Sequence, residues 1–165
     1  MMVLRCPMQM NFDHFMGLAL IQAEKGGQKG EVPIGALIVA KNGEIVASSA
    51  NRVIELNDPT AHAEILAIRE AANKVGNYRL TGLSLFVTIE PCIMCMGAVI
   101  HARLGQVIFG ARDPKWGALG SIYDLSTEDR LNHRVSVVKG VGEESARRLI
   151  QSFFQARRDK QATRM

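Results

Sequence analysis

The sequence is poor in the residues that mark several classes of protein. Only 5% of its 165 residues are aromatic, and it contains five prolines and three cysteines. Internal repeats, low-complexity segments and linkers rich in proline, glycine or serine are lacking, so we expect one domain rather than a fibre or a disordered tail. With 47% hydrophobic residues and a mean hydropathy of +0.04, a chain of this length can bury a sizeable core.

Long apolar segments are lacking too. The longest runs, residues 34–40 and 96–100, are far shorter than the ~20 residues that span a bilayer. Residues 1–10 have neither the apolar core nor the small-residue cleavage site of a secretory signal. We therefore expect no membrane partner and a cytoplasmic location.

The three cysteines are too few, and odd in number, for a disulfide framework. Cys92 and Cys95 lie close together, which indicates a metal or redox role. Cys6 lies far from them in the sequence, and we expect it to be a bystander.

The net charge of +4 is concentrated near the C-terminal end. Residues 145–165 contain six basic residues against Asp159 alone, whereas the rest of the chain has 14 basic and 15 acidic residues. Clustered Lys and Arg favour a partner with phosphates, because they displace counterions from nucleic acid. A solvated helix end is the alternative, since the helix dipole also favours cations there.

Strands and helices are expected to alternate. Helical spacing of apolar residues predicts a first helix from Phe12 to Gly26, and the turn at 42–43 predicts a hairpin between strands at 34–40 and 45–48. Asp58-Pro59 and Glu90-Pro91 predict the starts of helices that end near Val75 and Arg103. Further strands are predicted at 83–88, 106–110 and 134–138, and a last helix at 143–158 with Ala146, Leu149, Ile150 and Phe153 on its apolar stripe.

This order predicts an α/β fold, a three-layer α/β/α sandwich around a five-stranded mixed sheet. We expect residues 1–10 to form a flexible extension, residues 11–158 to form the domain, and residues 159–165 to form a basic tail.

The chemistry is concentrated in two short segments. His62-Ala63-Glu64 is followed, thirty positions after the histidine, by Pro91-Cys92-Ile93-Met94-Cys95. Cys92 and Cys95 are three apart, so on a helix they lie on one face and can bind one ion together with His62. Three such ligands fit Zn²⁺ and leave its fourth position open for water, as in a catalytic site.

Glu64 lies near this ligand set without belonging to it. A carboxylate beside zinc-bound water can take its proton and pass it to a departing amine. A Cys-x-x-Cys segment alone is more often a redox pair or half of a structural zinc site, but no second cysteine pair is present to complete a Cys₄ site.

These segments resemble the zinc-dependent cytidine/deoxycytidylate deaminase superfamily, and the chain is similar within it to the bacterial tRNA-specific adenosine deaminases. The resemblance runs from about residue 12 to residue 158. The motifs that carry it are Glu31-Val32-Pro33-Ile34-Gly35, Asn51-Arg52, Asp58-Pro59-Thr60-Ala61-His62-Ala63-Glu64, Gly110-Ala111-Arg112-Asp113, Asn132-His133-Arg134 and Phe153-Phe154. Guanine deaminases carry a segment much like 58–64, whereas residues 101–121 favour the tRNA branch.

The resemblance implies a sheet of the cytidine-deaminase type and a homodimer with one zinc ion per subunit. Zinc on His62, Cys92 and Cys95 would activate a water that attacks C6 of adenosine, Glu64 would move the protons, and ammonia would leave to give inosine. The substrate would be the wobble adenosine in a tRNA anticodon stem-loop.

The resemblance also implies substrate contacts. Asn51 would bond the flipped base and Ala63 would line its pocket, while Asp113 and Lys115 would contact neighbouring nucleotides. The anticodon loop would be held by Asn132, Phe154, Arg157 and Arg158 through stacking and phosphate contacts.

Alternatives remain open at this point. Asn51 could cap a turn. Trp116 departs from the small or polar residue expected after Lys115, and it could stack on a base. The rival functions are a free-base or nucleotide deaminase of guanine or cytosine type and an RNA-binding module with a structural zinc.

Overall fold

A computed structural model describes residues 10–163 of the chain. Residues 1–9, with Cys6 and most of the predicted N-terminal extension, and residues 164–165 lie outside the described part. The elements are α1 (Phe12–Gln28), β1 (Gly35–Val39), β2 (Ile45–Ala50), α2 (Val53–Leu56), α3 (Ala63–Val75), β3 (Ser84–Ile89), α4 (Ile93–His101), β4 (Gln106–Ala111), β5 (Ser136–Lys139) and α5 (Glu143–Ala162).

The five strands form one mixed sheet in the order β2-β1-β3-β4-β5. β1 pairs antiparallel with both β2 and β3, whereas β3, β4 and β5 run parallel. The carboxyl ends of β3 and β4 therefore lie at one edge of the sheet, and the loops that follow them meet there.

Helices cover both faces of the sheet, which confirms the predicted α/β/α sandwich. In β1, Ala36 and Ile38 pack into the cluster under α3 and α4, while Leu37 and Val39 pack into the cluster under α1. The side chains of β3 and β4 alternate in the same way. Because successive side chains of a strand point to opposite faces, a strand covered on both sides is expected to be mostly apolar.

Two predicted helix starts are wrong, and the reason is local. Asp58 Oδ1 accepts hydrogen bonds from the amide of Thr60 at 2.8 Å and from its hydroxyl at 2.7 Å, so Asp58-Pro59 forms a turn and α3 begins only at Ala63. Glu90-Pro91 likewise precedes α4, which begins at Ile93. Asp-Pro is a signal for turns as well as for helix starts.

Other differences lie at the ends of elements. α1 continues through the two glycines to Gln28, α4 ends at His101 rather than Arg103, and α2 is a four-residue helix that the sequence pattern does not indicate. α5 continues past Arg158 to Ala162, so the first residues of the predicted tail are helical. No helix among residues 10–163 has both the length and the apolar character needed to cross a bilayer.

Candidate active site

The three predicted metal ligands meet at the starts of α3 and α4. His62 is the N-cap of α3 and Cys92 is the N-cap of α4, and neither side chain bonds the helix that it caps. Cys95 lies in the first turn of α4 and is fully buried. Because neither N-cap side chain bonds a backbone amide of its helix, both can turn toward Cys95 instead.

The ligand atoms are close enough for one ion. His62 Nδ1 lies 3.8 Å from Cys92 Sγ and 3.5 Å from Cys95 Sγ, and all three ligand atoms lie within 4.8 Å of one another. Hydrogen bonds from Cys95 and His62 lower the pKa of Cys92 to about 4, whereas donation to Cys92 and burial raise the pKa of Cys95. The pair thus holds one thiolate readily, and a cation is needed to hold two.

Glu64 stands out by its missing hydrogen bond. Its side chain is 3% exposed, and Oε2 is the one buried side-chain oxygen or nitrogen without a hydrogen-bond partner among the described residues. Burial raises the pKa of Glu64 to about 7, and the charge of nearby His62 opposes this only in part. An unpaired buried carboxylate oxygen is costly unless a ligand or ion completes it.

The type and the number of the donor atoms both fit zinc. Two sulfurs and one imidazole are the donors that zinc prefers, and three protein ligands leave its fourth position for water. The unpartnered oxygen of Glu64 is the acceptor that such a water needs. The residues present can therefore hold a catalytic metal ion.

The alternative prediction had Asn51 capping a turn, whereas the structure shows its side chain bonded to the first amide of α3. Asn51 is buried, and its Oδ1 accepts from the backbone amide of Ala63 at 2.8 Å. This bond supplies the cap that His62, as the N-cap residue, does not make. The Asn51 amide nitrogen makes no hydrogen bond within residues 10–163, so it is free to donate to a ligand.

Glu90 is a site residue that the sequence analysis missed. Its side chain is 3% exposed and accepts hydrogen bonds from the amides of Asp113 (3.1 Å), Leu119 (2.9 Å) and Ser121 (3.1 Å), and from the Ser121 hydroxyl. It ties the loop at 112–121 to the segment that carries Cys92. A glutamate directly after a fully buried strand was the available signal, because such a position is rarely charged without partners.

The loop after β4 borders a cleft of about 560 Å³ at the carboxyl ends of β3 and β4. Asp113, Lys115, Trp116 and Phe154 line it. Asp113 Oδ1 accepts from the amides of Lys115 (2.9 Å) and Trp116 (3.2 Å), so this carboxylate also shapes its own loop. The structure thus brings three of the predicted substrate-binding residues, Asp113, Lys115 and Phe154, to one cleft.

The basic cluster near the C-terminus is smaller than the sequence indicates. Arg147 pairs with Glu143 and Glu144, and Arg148 pairs with Glu144, all within one or two turns of α5. Arg157 and Arg158 are exposed, and they make no ion pair within the described residues. Their charges therefore remain available to a phosphate.

Phe153 is not a core residue, contrary to the predicted apolar stripe. Its ring is half-buried, with the Arg157 guanidinium 5.5 Å from its centroid. Of the stripe, only Ala146 is buried. Apart from Phe153, every residue of α5 after Ile150 is exposed, so its last turns pack against little of the domain.

The structure does not bring Asn132 to the other candidate residues. Its carbonyl accepts from Arg103 at 2.6 Å, and the next residue, His133, bonds the carbonyl of Leu104. Both contacts lie just before β4, at the edge of the sheet opposite to Glu64 and the ligands. Within one chain, Asn132 therefore does not reach the site.

Comparisons with known proteins agree with this chemistry. The MafB19-like deaminase family model matches residues 10–158. The tRNA-specific adenosine deaminase of Bacillus subtilis (strain 168) is 46% identical over 151 residues, which cover 91% of this chain and 93% of that protein. A solved structure from work on A-to-I editing by tRNA:A34 deaminases at the wobble position of transfer RNA has a TM-score of 0.79 and 44% identity, covering 82% of this chain and 98% of its own. A guanine deaminase structure from Bacillus subtilis is 42% identical, but it covers 62% of this chain and 66% of its own with a TM-score of 0.59.

Proposed function

Because this chain belongs to the tRNA-specific adenosine deaminase family, we propose that it hydrolyses adenosine to inosine at the wobble position of a tRNA anticodon. The observation that carries the chemistry is the buried, unpartnered oxygen of Glu64 beside a histidine and two cysteines. Residues 11–158 are the deaminase domain in this proposal, supported by the family match to residues 10–158.

We assign one zinc ion per chain to His62, Cys92 and Cys95. When bound, zinc supplies Lewis acidity and lowers the pKa of a water molecule in its open position to about 7. The amino-terminal ends of α3 and α4 meet at the three ligands, and their dipoles favour negative charge there.

Glu64 moves the proton in this proposal. Hydrolysis forms a bond from the water oxygen to C6 of the purine and breaks the bond from C6 to the amino nitrogen, so a proton must pass from water to the departing ammonia. Glu64 Oε2 is suited to carry it, because it is buried and no described residue donates to it.

Asn51 and Ala63 position the base. Asn51 is held by its bond to the Ala63 amide, which leaves its own amide nitrogen to donate to the purine. Ala63 is fully buried in the main core at the start of α3, so its part is to hold Asn51 in place through its backbone amide. Both roles are supported by position rather than by a bound substrate.

The RNA outside the pocket is held by Asp113, Lys115, Phe154, Arg157 and Arg158. Asp113, Lys115 and the exposed ring of Phe154 are supported by the cleft that they line together. Arg157 and Arg158 follow Phe154 on α5 and make no ion pair among the described residues. Asn132 contributes only if the RNA or a second chain bridges the two edges of the sheet. A cytoplasmic location agrees with a tRNA substrate and stays a prediction.

We retain the homodimer as part of the proposal. Ile93, Ile122 and Tyr123 are exposed, and Ile93 directly follows Cys92. Exposed apolar side chains beside a metal ligand fit a surface that a second chain covers. Sedimentation velocity should give a dimer at assay concentrations, and a monomer would remove this part of the proposal.

The decisive assay compares two kinds of substrate by mass-resolved product analysis. One is an anticodon stem-loop with a wobble adenosine, and the other is a panel of free bases with guanine and cytosine. We expect conversion of the stem-loop alone. Conversion of a free base alone would keep the metal chemistry and favour the rival deaminase.

Glu64→Gln tests the catalytic role and also the structural-zinc alternative. It should retain zinc and the melting temperature while turnover falls by 10² or more, since a positioned acid-base group contributes about 10²–10⁴. Glu70→Gln on the same helix is the control, because Glu70 only pairs with Lys74 at the surface. Unaltered turnover of Glu64→Gln would refute the role of Glu64.

A further inference from the structure

The cleft beside the loop at 112–121 contains an exposed tryptophan, Trp116, to which the proposed function gives no role. Trp116 is 67% exposed and Phe154 is 41% exposed, although both border the same cleft of about 560 Å³. Ile34, Ile89 and Ile150 line it as well. A concave, apolar site with two exposed rings is the kind of surface that a planar ligand covers.

The backbone of Trp116 is held in place. Its amide donates to Asp113 Oδ1, and the next amide, that of Gly117, donates to the Asp113 carbonyl at 2.9 Å. Glu90 in turn bonds the Asp113 amide from the interior. Because the loop backbone is already ordered, binding at Trp116 does not have to order it, and this preorganisation favours a stacking role.

Positive charge surrounds the rings. Arg112 and Lys115 line the cleft, are exposed and make no ion pair within the described residues. Arg147 lines it too, but shares its charge with two glutamates of α5. Asp113 is the one acidic residue among the lining side chains that the structure describes, and its Oδ1 is already occupied by loop amides.

We propose that this cleft binds a second, unreacted nucleobase of single-stranded RNA, stacked on Trp116 and Phe154, with its phosphate on Arg112 and Lys115. Aromatic faces next to unpaired cations are the recurring surface for single-stranded nucleic acid, because every base has a face to stack and every nucleotide a negative charge. The inference rests on the proposed function, and it adds Trp116 and Arg112 to the residues that bind the substrate.

The chain contains one tryptophan, so its fluorescence reports this ring alone. We would mix the native protein with the anticodon stem-loop by stopped flow and record the emission before product accumulates. A base stacked on Trp116 should quench it. An emission that stays constant while the RNA binds and reacts would overturn the inference and leave the deaminase proposal intact.

Substitutions give an independent readout. Trp116→Ala should raise the Kd for the stem-loop about 5- to 100-fold, the range seen when a stacking residue is truncated. Trp116→Phe keeps a ring and should stay within about threefold. The effect should appear in KM, with kcat at saturating RNA unchanged, because the base bound here does not react.

Tyr78→Ala is the matched control, since Tyr78 is 66% exposed at the other edge of the sheet, before β3. It should leave Kd unchanged. Equal effects of Tyr78→Ala and Trp116→Ala would overturn the inference, and so would quenching by free adenosine monophosphate as strong as by the stem-loop. Absence of both RNA binding and deamination would instead refute the proposed function.

Discussion

Replacing the buried carboxylate of Glu90 should loosen the loop that carries the predicted RNA contacts. Its two oxygens accept from three backbone amides and one hydroxyl, at positions 113, 119 and 121. Glu90→Gln keeps the shape but offers one acceptor oxygen and a donating nitrogen. If that nitrogen replaces Oε2, the Asp113 amide loses its acceptor and faces another donor.

The magnitude follows from the number of bonds. A buried donor left without an acceptor costs about 1–3 kcal/mol, and each of the two amide bonds to Oε1 weakens by about 1 kcal/mol when the acceptor is no longer charged. The Ser121 hydroxyl can turn and accept from the new amide nitrogen, so its bond is not counted as lost. The sum is about 3–5 kcal/mol, which lowers Tm by roughly 10 °C in a domain of this size. Because Ala118 and Leu119 of the same loop are buried in the main core, we expect the effect to reach global stability.

Thermal unfolding and hydrogen exchange measure the two parts of this prediction. Exchange at the amides of Leu119 and Ser121 should become faster in Glu90→Gln, and KM for the stem-loop should rise more than kcat falls. Glu44→Gln is the control, since Glu44 is exposed and its carboxylate makes no hydrogen bond or ion pair among residues 10–163. The reasoning about Glu90 would be refuted by unchanged exchange together with a Tm within about 2 °C of the Glu44→Gln control. Such a difference is far smaller than the shift expected from the bond energies.

The remaining predictions concern the metal, the basic helix and the core. Removal of the metal by a chelator should abolish turnover and lower Tm, because an ion that binds only the folded chain stabilises it, and added zinc should restore both; a chelated protein with full activity would contradict the metal site. The double variant Arg157→Ala, Arg158→Ala should weaken stem-loop binding and lower the slope of log Kd against log salt by about 0.7–0.9 for each phosphate that is no longer neutralised. The control Arg79→Ala, before β3, should leave that slope unchanged. If the double variant has the slope of the unmodified protein, the basic cluster is a solvated helix end. Gly35→Ala should severely destabilise the chain, because its Cβ would meet the Ala19 carbonyl oxygen at 2.0 Å. Gly17→Ala meets nothing within 4 Å and should stabilise α1 by about 0.5–1 kcal/mol, and urea unfolding of both variants checks the contrast.

The sheet could be predicted because its strands carry their own signal. β1 is apolar throughout, β3 and β4 are mostly apolar, and the structure buries nearly all of their residues. β5 is only partly buried, and residues 134–135 of its predicted span precede the strand. Burial on both sides leaves few choices of residue, whereas an edge strand admits many.

The contacts around Glu90 could not be predicted, because they join positions 23 to 31 residues apart. The sequence of the loop at 112–121 does not show which carboxylate accepts hydrogen bonds from its amides. The same limit applies to Asn51, whose bond to Ala63 spans twelve positions. Nor could the sequence show that Asn132 lies near the start of β4, at the end of the sheet away from Glu64, because its position depends on the path of the long connection from β4 to β5.

The cluster of His62, Cys92 and Cys95 could be predicted even though both helix starts were misplaced, and the geometry of a helix terminus explains why. Cys92 and Cys95 are N-cap and third residue of α4. These two positions face each other, as the reciprocal bonds of a capping box require, so a spacing of three brings the sulfurs together whether the pair lies inside the helix or at its end. The later start of α3 makes His62 its N-cap residue, with an extended backbone. The His62 ring does not bond the helix, because Asn51 accepts from the first helical amide instead. Had the helix begun at Asp58, His62 would lie within its second turn and Asn51 would have no cap to make. The misplaced start of α3 therefore did not affect the prediction that His62, Cys92 and Cys95 lie together, but it hid the role of Asn51 in positioning His62.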